Sequence, residues 1–294
     1  MTVVMITDPE NKPHEGVCPN CSAELVGPYC AVCGQHQVDL ERPLRALLGE
    51  AMDSFLDFDE RILRTLTPLI TRPGLLTVEF LAGRRKRYVH PFKLYFALSL
   101  ALFLALSMWG YTVVQVAGDD RIVVTTEGMT TGVELKRSEG SVQAEAPSFL
   151  DWAFDPLIEL MEKNPDRLNK IFIDRLAQSI VVLVPVFALL LRPLYWKSSY
   201  LSQFVFSLYL HSFAFLAILA GMAFNVSFGT TDGSGPGDGL VLLTITVHTF
   251  LALRRTQGQR RLLTAAKMVV LVLGYLVALI LTMILTLLLT AFTL

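Results

Sequence analysis

Charged residues are scarce. They make up 17% of the 294 residues, against roughly 25% in an ordinary soluble domain. The deficit lies in long uncharged runs after position 93, and 53% of the chain is hydrophobic. A single soluble globule is therefore excluded. No Asp or Glu falls inside those runs, so an ion-coupled mechanism has no carboxylate to carry it. The net charge is −1, which removes the global basic field expected of a nucleic-acid binder, and none is expected as a partner. No HExxH, GxSxG or phosphate-loop pattern is present, so no hydrolase or nucleotide-binding motif supports an enzyme. The first 17 residues carry Asp8, Glu10, Lys12 and Glu15 and lack an apolar core. They do not read as a signal peptide, and the first membrane helix is expected to act as the targeting signal.

Five apolar stretches remain. A span needs roughly 18 apolar residues. Leu94–Val116, Leu201–Phe224 and Met268 to the C-terminus meet that length. Leu176–Leu191 is short but extends through Pro193 to Trp196 if Arg192 snorkels, and Pro185 is expected to kink it. Gly239–Leu253 is the weakest. Lys and Arg bias sets orientation. Arg84, Arg85, Lys86, Arg87 and Lys93 precede the first stretch, Arg192 and Lys197 follow the second, and Arg254, Arg255, Arg260, Arg261 and Lys267 follow the fourth. The expectation is a multi-pass protein of the bacterial inner membrane with a cytoplasmic N-terminus and an outer C-terminus. Lys163, Arg167, Lys170 and Arg175 run against it.

Residues 39–91 precede the membrane. Leu44, Leu47, Leu48, Met52, Phe55 and Leu56 repeat at helical spacing, as do Ile62, Leu63, Leu66, Leu69 and Ile70, until Arg72-Pro73-Gly74 interrupts. These are amphipathic helices, either a pad packed beneath the bundle or helices lying on the inner leaflet. Arg84, Arg85, Lys86 and Arg87 with Tyr88 form a candidate site for anionic lipid, against the plainer reading of a positive-inside anchor. The outer loop 117–175 divides into a Thr/Val-rich part, either a small hairpin or a disordered stretch, and an amphipathic part with Phe149, Trp152, Phe154, Leu157, Ile158 and Met161. The loop from Gly229 to Gly239 reads as a flexible connection.

All four cysteines lie in one stretch: Cys18-Pro-Asn-Cys21, then Cys30-Ala-Val-Cys33-Gly34. Two CxxC knuckles supply four thiolates, the donor set of a tetrahedral structural zinc site. Residues 14–37 therefore read as a zinc ribbon, with iron a lesser alternative. A four-thiolate site is closed, so it points to structure rather than catalysis. His14 and His36 flank the site but are not needed as ligands. Gly34 suits the tight turn of the second knuckle, where the first has Ser22.

Within the spans, Gln203, Ser207 and His211 fall on one face of a helix, and Thr244 and His248 are four residues apart. They mark either a polar path or histidines held neutral between helices. His211 and His248 are expected at different depths, each bonded to a hydroxyl or a backbone carbonyl.

Several segments together resemble the bacterial domain-of-unknown-function 3667 family. They are the two knuckles with Gly34-Gln35, Asp59-Glu-Arg-Ile-Leu-Arg-Thr65, Arg72-Pro-Gly74, Gly83-Arg-Arg-Lys-Arg-Tyr-Val-His-Pro91, and Phe204 through Phe213. The resemblance implies a multi-pass membrane protein with a cytoplasmic zinc ribbon and no assigned activity. It also marks Arg84, Tyr88, His90, Pro91 and His211 as motif positions without roles.

The expected fold is an all-α integral membrane helix bundle of about five spans (92–294) with the four-cysteine ribbon and cytoplasmic amphipathic helices. The first functional expectation is a scaffold whose ribbon and basic segment bind membrane lipids or a protein partner. A transporter subunit with a path near His211 and His248 is the alternative, followed by a lipid-modifying enzyme.

Overall fold

The computed structural model describes residues 16–27, 29–35, 61–108, 114–117, 121–126, 129–134, 165–228 and 235–292. The expected helices over 39–60 and the apolar positions of 147–164 lie outside them, as do Pro28 and most of the loop from Gly229.

The architecture is mostly helical. In chain order it runs α1 (Arg61–Thr71), α2 (Leu75–Leu81), α3 (Pro91–Met108), β1 (Val114–Ala117), β2 (Arg121–Thr126), β3 (Met129–Glu134), α4 (Pro165–Leu194), α5 (Tyr200–Ser227), α6 (Pro236–Gln257) and α7 (Arg261–Phe292). The three strands form an antiparallel meander in the order β1-β2-β3. Val116 pairs with Ile122, and Val124 with Thr131. This sheet lies largely in the Thr/Val-rich part of the loop, where a small hairpin was one of the two expectations. Its β-branched Thr and Val residues favour a pleated strand over a helix, and it takes in the end of the first apolar run, whose described helix is Pro91–Met108.

Helices α3, α5, α6 and α7 are long and apolar enough to cross a membrane. α4 has 30 residues, but its described apolar part, Ile180–Leu194, is shorter than a span. Among the described residues four helices therefore meet the length criterion, where about five spans were expected. α4 begins at Pro165, within the segment 117–175, a proline in the first helical position where its missing N–H costs nothing. α6 begins at Pro236, three residues before the expected start. There the Asp238 carboxylate reaches back to accept the Gly235 N–H at 2.7 Å. An acid at this place starts a helix rather than ending a span. α7 begins at Arg261 and so includes Lys267, whose Nζ donates to the Leu194 carbonyl at 2.6 Å.

The chain forms two compact units. The first comprises Met1–Leu102, Val184–Ala217 and Leu243–Gly274; the second comprises Phe103–Leu183, Ile218–Leu242 and Tyr275–Leu294. In the first unit α5 is central. Phe204, Val205, Phe206, Ser207, Leu208, Tyr209 and Leu210 are consecutive and all buried, so this stretch is enclosed on every side. Buried residues fill 67% of the apolar window of α5 but 12% of that of α7, whose Val269, Val270, Leu273, Val277 and Ile280 are exposed. Exposure of that kind suits lipid.

In the second unit α5 and α6 approach closely at glycines. A Cβ on Gly221 would sit 2.3 Å from Val241 Cγ2, and one on Gly237 would sit 2.9 Å from the Gly221 carbonyl. Small residues permit such contact between apolar helices. Asn225 is buried there, donating to Asp238 at 2.9 Å and accepting the Gly237 N–H at 2.9 Å. Asn225 therefore clasps the two helices, and its burial leaves the Asn225-Val226-Ser227 triplet inaccessible to glycosylation.

Candidate metal centre and its docking surface

The two knuckles repeat one backbone pattern. Ser22 N–H donates to the Cys18 carbonyl at 2.8 Å, and Gly34 N–H donates to the Cys30 carbonyl at 2.8 Å. Cys18 N–H returns to the Ala23 carbonyl at 2.7 Å, and Cys30 N–H to the Gln35 carbonyl at 2.9 Å. Each turn needs a left-handed residue. Gly34 supplies it at φ 67°, and Ser22 adopts it at φ 61°. That conformation costs a non-glycine residue roughly 1–2 kcal/mol, so the first knuckle is the more strained of the two.

The four Sγ atoms all lie within 4.8 Å of one another. Cys18 and Cys33 are 3.6 Å apart, Cys21 and Cys30 3.5 Å. Tetrahedral zinc at about 2.3 Å from each sulfur requires edges of about 3.8 Å. Two pairs are close to that figure, and the remaining separations are looser, up to 4.8 Å. All four thiols are free. Hydrogen bonds from the Cys33 amide, and less strongly from Val32, help draw the Cys30 thiol down to about 6 against the opposing effect of burial. Cys21 is pushed up to about 12: the Ala23 amide lowers it, but burial and the neighbouring thiols outweigh that amide. Four sulfurs held this close would repel one another once ionised, the electrostatic situation that a bound cation relieves. The donor set fits a metal ion held by Cys18, Cys21, Cys30 and Cys33.

The ribbon is not a free appendage. Gln35 follows the second knuckle and is buried. Its Nε2 donates to the Gly83 carbonyl at 2.6 Å, and its Oε1 accepts the N–H groups of Arg85 and Lys86, each at 3.2 Å. Pro19 of the first knuckle lies where a Cβ on Gly83 would meet it at 3.1 Å. The surface that receives the ribbon is the start of the basic segment. It is shaped by the end of α2: Gly83, at φ 79°, donates to the Phe80 carbonyl at 3.1 Å, and the Arg84 N–H donates to that of Glu79 at 3.0 Å. This is the paired helix-ending turn that a left-handed glycine makes.

The four basic side chains have different surroundings. Arg84 makes two 2.7 Å bonds to the Glu79 carboxylate, holding that carboxyl below its usual range. Arg85 lies over the Phe80 ring at 4.7 Å. Lys86 and Arg87 are exposed, with Arg87 5.7 Å from the Tyr88 ring centroid. Arg61 reaches the same place, donating to the Lys86 carbonyl at 2.8 Å. His90 packs between Phe80 and Phe92, at centroid distances of 5.4 and 5.8 Å. Burial, with the Arg85 charge as a second cause, lowers it to about 4, so it is neutral at pH 7.

The same unit holds α1 and α2 against the bundle. Thr65, fully buried, accepts the Val89 N–H at 2.9 Å. Pro73 has no N–H, so the Leu69 carbonyl four residues earlier loses its helical partner. His248 Nε2 donates to that carbonyl at 2.9 Å, while its ring stacks on Phe213 at 3.5 Å. Arg255 donates to the Pro73 carbonyl at 2.9 Å. A recess of about 10 Å³ beside His248 has the capacity of about one water. The buried face of α1 is Thr65, Pro68 and Leu69, whereas Leu63 and Ile70 of the expected stripe are exposed.

His211 Nδ1 donates to the Ser207 carbonyl at 2.8 Å, and the Ser207 hydroxyl donates to the Val184 carbonyl at 2.9 Å. Gln203 donates to the Tyr195 carbonyl at 3.0 Å. Thr244 is exposed and does not share the buried surroundings of His248. Sequence reasoning passed over Gln35 and Thr65 as site residues, although both lie in quoted motifs. Their signal is a polar residue placed directly against a turn or an apolar stripe.

Residues 59–103 match the model of a family described as Protein of unknown function (DUF3667). The match supports membership of the family that the motifs resemble. It spans α1, α2, the ribbon-docking loop and most of α3. No curated protein and no solved structure matches the chain.

Proposed function

We propose that the chain is a non-enzymatic scaffold of the bacterial inner membrane. In this reading a zinc-bound cytoplasmic ribbon packs on the basic segment and presents Lys86 and Arg87, flanked by Arg61, to anionic headgroups. The observation that carries the reading is the three-bond contact of Gln35 with Gly83, Arg85 and Lys86. It joins the metal site to the cationic segment a few residues before α3 begins. His211 and His248 are each bonded to a backbone carbonyl, which favours the scaffold over a polar transport path.

The test uses the full chain in nanodiscs of mixed neutral lipid and phosphatidylglycerol, with retained anionic lipid counted by native mass spectrometry. At about 1 kcal/mol per cation, K86Q/R87Q is expected to weaken retention roughly tenfold or more. R84Q should do less, because Arg84 is engaged by Glu79. Wild-type retention in K86Q/R87Q rejects headgroup binding.

Counting α4 as a fifth span puts the two termini on opposite sides, and the Lys and Arg bias favours the N-terminus inside. Reporters fused after Ser198, Gly233, Gln257 and Leu294 should then read inside, outside, inside and outside. A cytoplasmic signal at Gly233 breaks this topology.

A further inference from the structure

We infer that the ribbon is a metal-dependent clamp: occupancy of the four-cysteine site sets the conformation of the Gly83–Arg87 loop. The inference rests on the zinc reading above and adds a regulatory consequence to it. The ribbon is far too small to have an apolar core of its own, so the metal supplies its folding free energy. Its grip depends on folding, because Gln35 is placed by the second knuckle. Cys30 N–H bonds to the Gln35 carbonyl itself, so the turn that carries two ligands also fixes the residue that reaches the loop.

The loop depends on the grip in turn. Gln35 Oε1 takes two consecutive backbone N–H groups, those of Arg85 and Lys86, while Nε2 serves the Gly83 carbonyl. One side chain therefore satisfies three backbone groups, which fixes the path of the chain between Arg84 and Arg87. Pro19 closes over Gly83 from the other knuckle. With the ribbon unfolded, all of these contacts disappear together, and the Arg61 bond to the Lys86 carbonyl loses its fixed target. Lys86 and Arg87 are then no longer held in one arrangement beside Arg61. A preorganised cation pair binds an anion at lower entropic cost than a mobile one, so metal status is coupled to the strength of the cationic surface.

The experiment is hydrogen exchange on the full chain in nanodiscs, following a peptide that covers 83–88, with zinc content measured on the same samples. Removing zinc with a chelator should accelerate exchange in this peptide, and restoring zinc should reverse the change. Gln35→Ala should accelerate it by about tenfold, as the loss of a bidentate acceptor implies, while zinc stays at one equivalent. Unchanged exchange in zinc-loaded Gln35→Ala overturns the clamp, as does unchanged exchange after zinc has been stripped. A wild-type chain that binds no zinc defeats the metal reading instead, and in that case the Gln35→Ala result still decides whether the contact holds the loop.

Discussion

Replacing Cys30 with serine is expected to take the protein from one bound zinc to none. Cys30 is buried, its thiol is the one drawn down to about 6 by knuckle amides, and its sulfur lies 3.5 Å from that of Cys21. A serine hydroxyl does not ionise near neutral pH and is a poor replacement for a soft thiolate. Structural zinc sites bind with apparent free energies of about 10–16 kcal/mol, and a ribbon without a core has nothing else of that size to hold it. The effect should therefore be all-or-none in metal content measured on the purified chain, with the membrane helices still folded. Substoichiometric but tight zinc in the serine variant would show that three ligands suffice.

The second large effect is expected at Gly74. This residue joins α1 to α2 at φ 75°, and a Cβ there would lie 2.9 Å from the Ala252 carbonyl oxygen and 3.1 Å from its Cα. Both obstacles are backbone, so neither can rotate away. Gly74→Val combines a disfavoured backbone conformation with overpacking, together about 2–4 kcal/mol. The consequence should be more than a lower melting temperature. The same turn carries Pro73, whose carbonyl receives Arg255, and leaves the Leu69 carbonyl to His248. Protease cleavage near Arg72 should therefore rise in the variant. A melting temperature equal to that of the wild type would mean that α1 and α2 do not depend on their contact with α6.

Much of this architecture was legible in the residues. Uncharged runs located α3, α5, α6 and α7, because burial in lipid demands continuous apolarity. The CxxC spacing located the metal cluster, because two tight turns are the shortest way to deliver four sulfurs. What was not legible is long-range pairing. Gln35 is an ordinary glutamine in sequence, and its meaning depends on a loop 48 residues away. The Arg84–Arg87 run looks like uniform charge, yet Arg84 is taken by Glu79 one turn earlier and Arg85 by the Phe80 ring. Leu63 and Leu69 obey the same periodicity, but Leu63 is exposed and Leu69 buried; periodicity finds a helix without saying which stripe faces protein. His248 looked like a candidate for chemistry, and its partner is a carbonyl orphaned by a proline 175 residues earlier in the chain. A charge beside an apolar run usually marks the edge of a span, whereas Asp238 caps the first turn of α6.

The most direct test of the central claim is zinc-edge X-ray absorption on the intact, membrane-embedded chain, paired with metal content. The account predicts one zinc per chain with four sulfur neighbours at about 2.3 Å and no nitrogen or oxygen in the first shell. A metal-free protein as purified, or a first shell with fewer than four sulfurs, contradicts it.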